Sequence, residues 1–165
     1  MRNLLTIALG VIALAAPMHS YANGSLGDWK FVSGVGQRGT PYCGIISAVK
    51  NKNVGQNIII KARPDGLVVD LYKDKWIRPQ GSTVRVAFDF VDNQPLVLSA
   101  YADGHILDVQ IPTDKVALFL LAVAQSAGTQ VIFPDLPNED TWFVGSSGAQ
   151  NAVRRLVSCQ QHFQK

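Results

Sequence analysis

His105 sits between Asp103 and Asp108, and an imidazole beside a carboxylate is the arrangement of a general base and its orienting group. A hydrolase would also need a nucleophile within hydrogen-bond reach of that base, and no spacing in the chain identifies one. A hydrolase built on His105 is the remote reading, and a turn histidine facing solvent is the plain one. Catalytic zinc usually takes three protein ligands. Beyond the first 22 residues the chain has only His105 and His162, far apart in sequence. Asp89, Asp92 and Asn93 offer oxygen ligands for calcium, but an EF-hand loop closes with Glu, and Glu139 is the chain's only glutamate. Turn formation accounts for those residues. Gly34, Gly36 and Gly39 are followed by neither the helix start nor the Lys-Ser/Thr of a phosphate loop. The chain reads as non-enzymatic, with no catalytic residue, no metal site and no cofactor.

Residues for binding stand out more than residues for catalysis. Trp76 lies in an expected loop among Lys75 and Arg78, with Lys73 and Asp74 before them. An aromatic with neighbouring cations suits contact with a partner or a glycan. The segment Pro134-Asp135-Leu136-Pro137-Asn138-Glu139-Asp140 reads as an acidic, proline-bounded loop, and exposed loops often carry binding residues. Trp76, Lys75, Arg78, Asp135 and Glu139 are therefore the candidate binding residues. Nucleic acid is excluded as a partner. The net charge is only +3, and the basic residues are scattered instead of clustered on one surface.

Several elements must position these groups. Arg2, the uncharged apolar run Leu4–Ala16, and the small residues Ser20 and Ala22 have the order of a cleavable signal peptide over residues 1–22. The run is too short to span a membrane. The remainder, 23–165, suits a single domain, periplasmic or secreted, with no transmembrane segment after cleavage. Two cysteines in an exported chain favour a disulfide, Cys43–Cys159. A loop of that length would remove roughly 4–5 kcal/mol of unfolded-chain entropy.

Strand-length apolar runs punctuated by turn residues fill most of the domain. Strands are expected at 28–33, 42–49, 57–63, 67–72, 83–90, 96–102 and 105–111. Two more are expected at 129–133 and 141–144. Arg63-Pro64-Asp65-Gly66 and Asp103-Gly104 mark hairpins. Thr113 is expected to cap a helix from Asp114 that Gly128 stops. Its 116–124 core is apolar nearly all round, so it must be buried or covered by a partner. A second helix starts after Ser146 or Ser147, with Ala149, Ala152, Leu156, Cys159 and Phe163 on one face. The fold class is mainly β (α+β): an antiparallel β-sandwich or curved sheet of eight or nine strands. It carries one inserted helix and a C-terminal helix pinned by the disulfide.

Gly27-Asp28-Trp29, Cys43, the set Trp76, Gly81 and Asp89, and the series Gly145-Ser146, Ala149, Leu156, Cys159 occur in this order along the chain. In this the sequence resembles small exported proteins of alphaproteobacteria, broadly similar to the invasion-associated locus B family. The resemblance implies an envelope or periplasmic β-sandwich with a role in host association or envelope maintenance, and it implies no active-site residues. The expected function is a non-enzymatic envelope or periplasmic protein that binds an envelope or host protein. The alternative is a periplasmic carrier of a small hydrophobic ligand, with the 116–124 helix lining its cavity.

Overall fold

Antiparallel pairing between neighbours in the chain builds most of the molecule. The computed structural model describes residues 24–36, 39–50, 55–90 and 94–163. The expected signal peptide lies outside the described residues. Ten strands follow in order: β1 Gly24–Leu26, β2 Trp29–Val35, β3 Pro41–Ala48, β4 Gln56–Arg63, β5 Gly66–Lys73, β6 Thr83–Phe90, β7 Leu96–Asp103, β8 Ile106–Ile111, β9 Gly128–Ile132 and β10 Trp142–Gly145. Two helices, α1 Val116–Gln125 and α2 Ala149–Gln160, complete the fold. The strands form one sheet in the order β1-β2-β3-β4-β5-β8-β7-β6-β9-β10. The mainly-β class holds, in its curved-sheet form. The strand not expected from the sequence is β1, three residues with no alternation to read.

Alternation sends one set of side chains inward. Along β4, Gln56, Ile58, Ile60 and Ala62 are buried while the residues between them are partly exposed. Leu107, Val109 and Ile111 of β8 and Val84, Val86, Phe88 and Phe90 of β6 join the same core. The core helix is α2, which packs on β2, β3 and β4 and buries Ala149, Ala152, Val153, Leu156 and Cys159. Cys159 is bonded to Cys43 of β3 across a sequence separation of 116, with Cα atoms 6.2 Å apart.

No ladder joins the edge strands β1 and β10, so the sheet is not closed. Its two margins nonetheless meet at one corner. The Trp29 indole donates to the Gly145 carbonyl at 3.0 Å. The Asp28 amide donates to Ser147 O at 2.8 Å, and the Lys50 amide to Phe143 O at 2.9 Å. Lys50 also pairs with Asp28 at 2.8 Å. Gly148 precedes α2 with φ of 79°, and a Cβ there would collide with the Leu26 carbonyl. Only glycine fits that left-handed, crowded position.

Two connections skip strands, and they lie at opposite ends of the sheet. The loop from β5 to β6, residues 74–82, passes the ends of β8 and β7, where Arg78 bridges Gly104 and the Gly81 amide donates to Ala102 O at 2.9 Å. The connection from β8 to β9 crosses the other end through a 3-10 turn, Thr113–Lys115, and α1.

Local details depart from the expectations in three places. Thr113 makes no side-chain capping bond and starts the 3-10 turn instead. Gly128 does not stop α1: the helix ends at Gln125, Ser126 turns extended, and Gly128 opens β9 with its Cα face against the Phe143 ring. Asp103 pairs with Ile106, so the hairpin turn is Gly104-His105, one residue later than the Asp-Gly signal, with Gly104 at φ of 58°.

The disulfide generates a direct test. A Cys43→Ser/Cys159→Ser protein is expected to unfold about 4 kcal/mol more easily in urea than the oxidised protein. Equal urea stability of the two would show that α2 holds its place without the bond.

Candidate functional site

The β5 end of the core is sealed by side chains from three parts of the chain. A turn with the Trp76 amide donating to Lys73 O at 3.0 Å folds Trp76 back over the sheet. Two successive turns, Leu136 N to Phe133 O at 3.0 Å and Glu139 N to Leu136 O at 2.9 Å, bring Glu139 round to the same place. Trp76 stacks on Trp142 with centroids 5.2 Å apart and meets the Phe133 ring edge-on at 5.7 Å. Glu139 joins the cluster through its oxygens. Oε1 accepts from Lys73 Nζ at 2.6 Å and from the Trp142 indole at 3.0 Å, and Oε2 accepts from the Trp76 indole at 2.9 Å.

Burial pushes the Glu139 carboxyl up, but hydrogen bonds from Lys73, Trp76 and Trp142 outweigh it. The net effect holds this carboxyl below the usual glutamate range. All three donors favour the charged form, so the group is fixed as an acceptor. It is not poised to exchange a proton.

Among the candidate binding residues the structure brings Trp76, Arg78 and Glu139 together. The Arg78 guanidinium lies 5.4 Å from the Trp76 ring centroid. Asp135 lies apart, held by Arg85 through Nε at 2.9 Å, Nη2 at 2.6 Å and the backbone amide at 2.7 Å. Lys75 is exposed on the 74–82 loop. Trp76, expected in the loop as an accessible contact, is 5% exposed. Its flanking charges suggested a solvated ring, but the indole turns inward because the open end of the core has no other cover. The side chain the loop presents is Ile77, 90% exposed. Its only sequence signal was a second apolar residue beside Trp76, between Lys75 and Arg78.

His105 is exposed at its turn, 6.3 Å from the Tyr72 ring. Among the described residues no hydrogen bond joins it to Asp103 or Asp108, and no group of three or more His, Cys, Asp or Glu is placed to hold a metal ion. Asp108 lies directly across the ladder from Asp70, whose carboxylate is paired with Lys61. Burial, then the Asp70 charge, pushes the Asp108 carboxyl above its usual range, against the opposing pull of Arg63 and Lys61.

The other end of the sheet carries a cleft. It lies between α1 and a wall of Phe90, Gln94, Pro95 and Leu96, and has a volume of about 520 Å³. Phe119, Leu120 and Val123 of α1 face the core, where Phe119 meets Phe88 and Phe90 edge-on. Leu118 and Leu121 stay 68% and 50% exposed. The apolar circumference of α1 is therefore only half covered.

These features define a disulfide-closed, curled antiparallel sheet with one helix packed on strands β1 to β4, sealed at one end by aromatics and bordered at the other by an open cleft. The fold is that of invasion associated protein B from Bartonella henselae, whose crystal structure aligns with 19% identity and a TM-score of 0.58, covering 86% of this chain and 99% of that one. No family model and no curated protein matches the chain. The family resemblance of the sequence thus stands at the level of fold. Its motifs mark the closure of the molecule: Gly27-Asp28-Trp29 meets Gly145-Ser146-Ser147 at the seam, Trp76 packs on Trp142, and Cys43 bonds Cys159.

Two pH effects of opposite sign follow. Glu139 has a lowered folded pKa, so its contribution is complete above the ordinary glutamate value of about 4.3 and is lost as pH falls through the folded value. Glu139→Gln is expected to lose about 3 kcal/mol at neutral pH and to show a flatter loss of urea stability on acidification. An unchanged acid profile would remove this role. Asp108 has a raised folded pKa, so its charge burdens the fold at neutral pH and its protonation relieves it. Asp108→Asn is expected to raise the thermal midpoint at neutral pH, and a lowered midpoint would contradict the account.

Proposed function

We propose that this protein is an exported, non-enzymatic binding module that acts through a protein partner at the bacterial envelope or on a host surface, with the 74–82 loop as its contact. The observation that carries the reading is Ile77. It stands out in water between Lys75 and Arg78, on a loop fixed by the buried Trp76 and by the Arg78–Gly104 bridge. A large apolar side chain on a rigid support is preorganised for docking, because little ordering remains to be done on contact. The adjacent cations favour a partner surface with an acidic rim around an apolar pocket.

Other features agree with this reading. The signal-like N-terminus and the disulfide suit an oxidising compartment. Among the described residues no helix is long and apolar enough to cross a membrane. The fold neighbour is by its title an invasion associated protein, which supports host association as the physiological setting.

The test is photo-crosslinking in cells that export the protein, with the crosslinking residue at position 75. One specific protein adduct is expected, and Ile77→Asp should reduce its capture at least about tenfold with no change in melting temperature. Correct export with no specific adduct would sink the reading.

A further inference from the structure

The α1 cleft has a shape and polarity that the partner reading does not use. Lys115, Leu118, Ala122 and Gln125 recur at spacings of 3, 4 and 3, with Phe119 and Ser126 beside them, and all line the cleft. That is one stripe of the helix from its first turn to its last, about 16 Å long at the helical rise. The facing wall includes Phe90, Gln94, Pro95 and Leu96. The middle of the groove is therefore apolar on the helix side and, Gln94 aside, on the facing wall, and polar groups mark its two ends along the helix.

The ends differ in charge. Lys115 is exposed, and among the described residues no ion pair is formed by it. At the other end the Ser126 hydroxyl is shielded from solvent and has no hydrogen-bond partner among the described residues. A shielded hydroxyl without a partner is costly unless something else supplies one. An extended peptide in this groove would set backbone amides against Leu118, Ala122 and Leu96, side chains that offer them no hydrogen-bond partner. An alkyl chain has no such groups, and burying it on these walls is favourable. The volume lies in the range of small-molecule sites.

We propose that the groove along α1 binds a single-chain carboxylic acid that carries a second oxygen function at its far end, with the carboxylate at Lys115, the chain on Leu118 and Leu96, and the far oxygen at Ser126, whose shielded hydroxyl turns about its Cα–Cβ bond to meet it. An ω-hydroxy fatty acid is the simplest member of this class. The site is separate from the Ile77 loop, at the opposite end of the sheet.

The test is a fluorescence titration of the purified exported protein with dansyl-aminoundecanoic acid, followed by competition. Saturable binding is expected. ω-Hydroxydodecanoate should displace the probe about threefold more tightly than dodecanoate. Dodecyltrimethylammonium, which has the wrong charge, should displace it least. Leu118→Asp should weaken probe binding at least about tenfold, because it sets a charge against the chain. Lys115→Gln should weaken the carboxylates by roughly threefold and leave dodecanol unaffected. Both positions are exposed, so neither change disturbs the core. Absence of saturable binding, or binding indifferent to Leu118→Asp, overturns the site. Indifference to Lys115→Gln overturns the placement of the carboxylate, and equal displacement by the hydroxylated and plain acids overturns the role of Ser126. Each of these results is independent of whether crosslinking at the 74–82 loop finds a protein.

Discussion

The packing of α2 into the concave face of the sheet is the constraint on which the remaining structure depends. A sheet of ten strands has two margins, and unpaired margins invite association with other chains. Here they converge at the Trp29–Gly145 corner and are not joined by a ladder, so the core must be completed by something other than a strand. That element is α2, with Leu156 fully buried at its centre and Cys159 fixed to β3. The glycines at 27 and 148 exist to let the backbone approach closely where the helix enters.

With the margins settled, the two ends of the sheet are free to differ. One is sealed by aromatics around a single carboxylate, and every polar atom of that carboxylate is engaged. The other is covered by a helix whose apolar residues exceed what the core can bury. Because the strand-skipping connections fall at these two ends, each end is built from sequence that the sheet itself does not need. A rigid sheet carrying variable connections is a common basis for recognition.

Periodicity made most of the strands legible, as did the amphipathic stripe of α2, because both are local patterns tied directly to burial. Long-range closure was less legible. The cysteine pair could be read from compartment and count. The meeting of Gly27-Asp28-Trp29 with Gly145-Ser146 could not, since it depends on how far ten strands curl. Trp76 shows the limit most clearly. Its charged neighbours describe the surface of the loop and say nothing of an indole that turns under it to stack on Trp142, a residue 66 positions later. The cleft was legible only as an excess of apolar residues in α1, because its second wall comes from Phe90 and from Gln94, Pro95 and Leu96, 20 or more positions before α1 in the chain.

The bond between residues 43 and 159 also sets an order of events. Strands β2 to β5 form a meander of sequential hairpins and can pair as soon as they emerge. The core they face stays incomplete until the last described helix arrives, since α2 is its filling and Cys159 lies near the helix end. Such dependence on distant contacts slows folding and keeps the earlier strands loosely held. The bond thus acts as a latch that closes only after every described strand has been made, and it locks the meander and the helix together in one step.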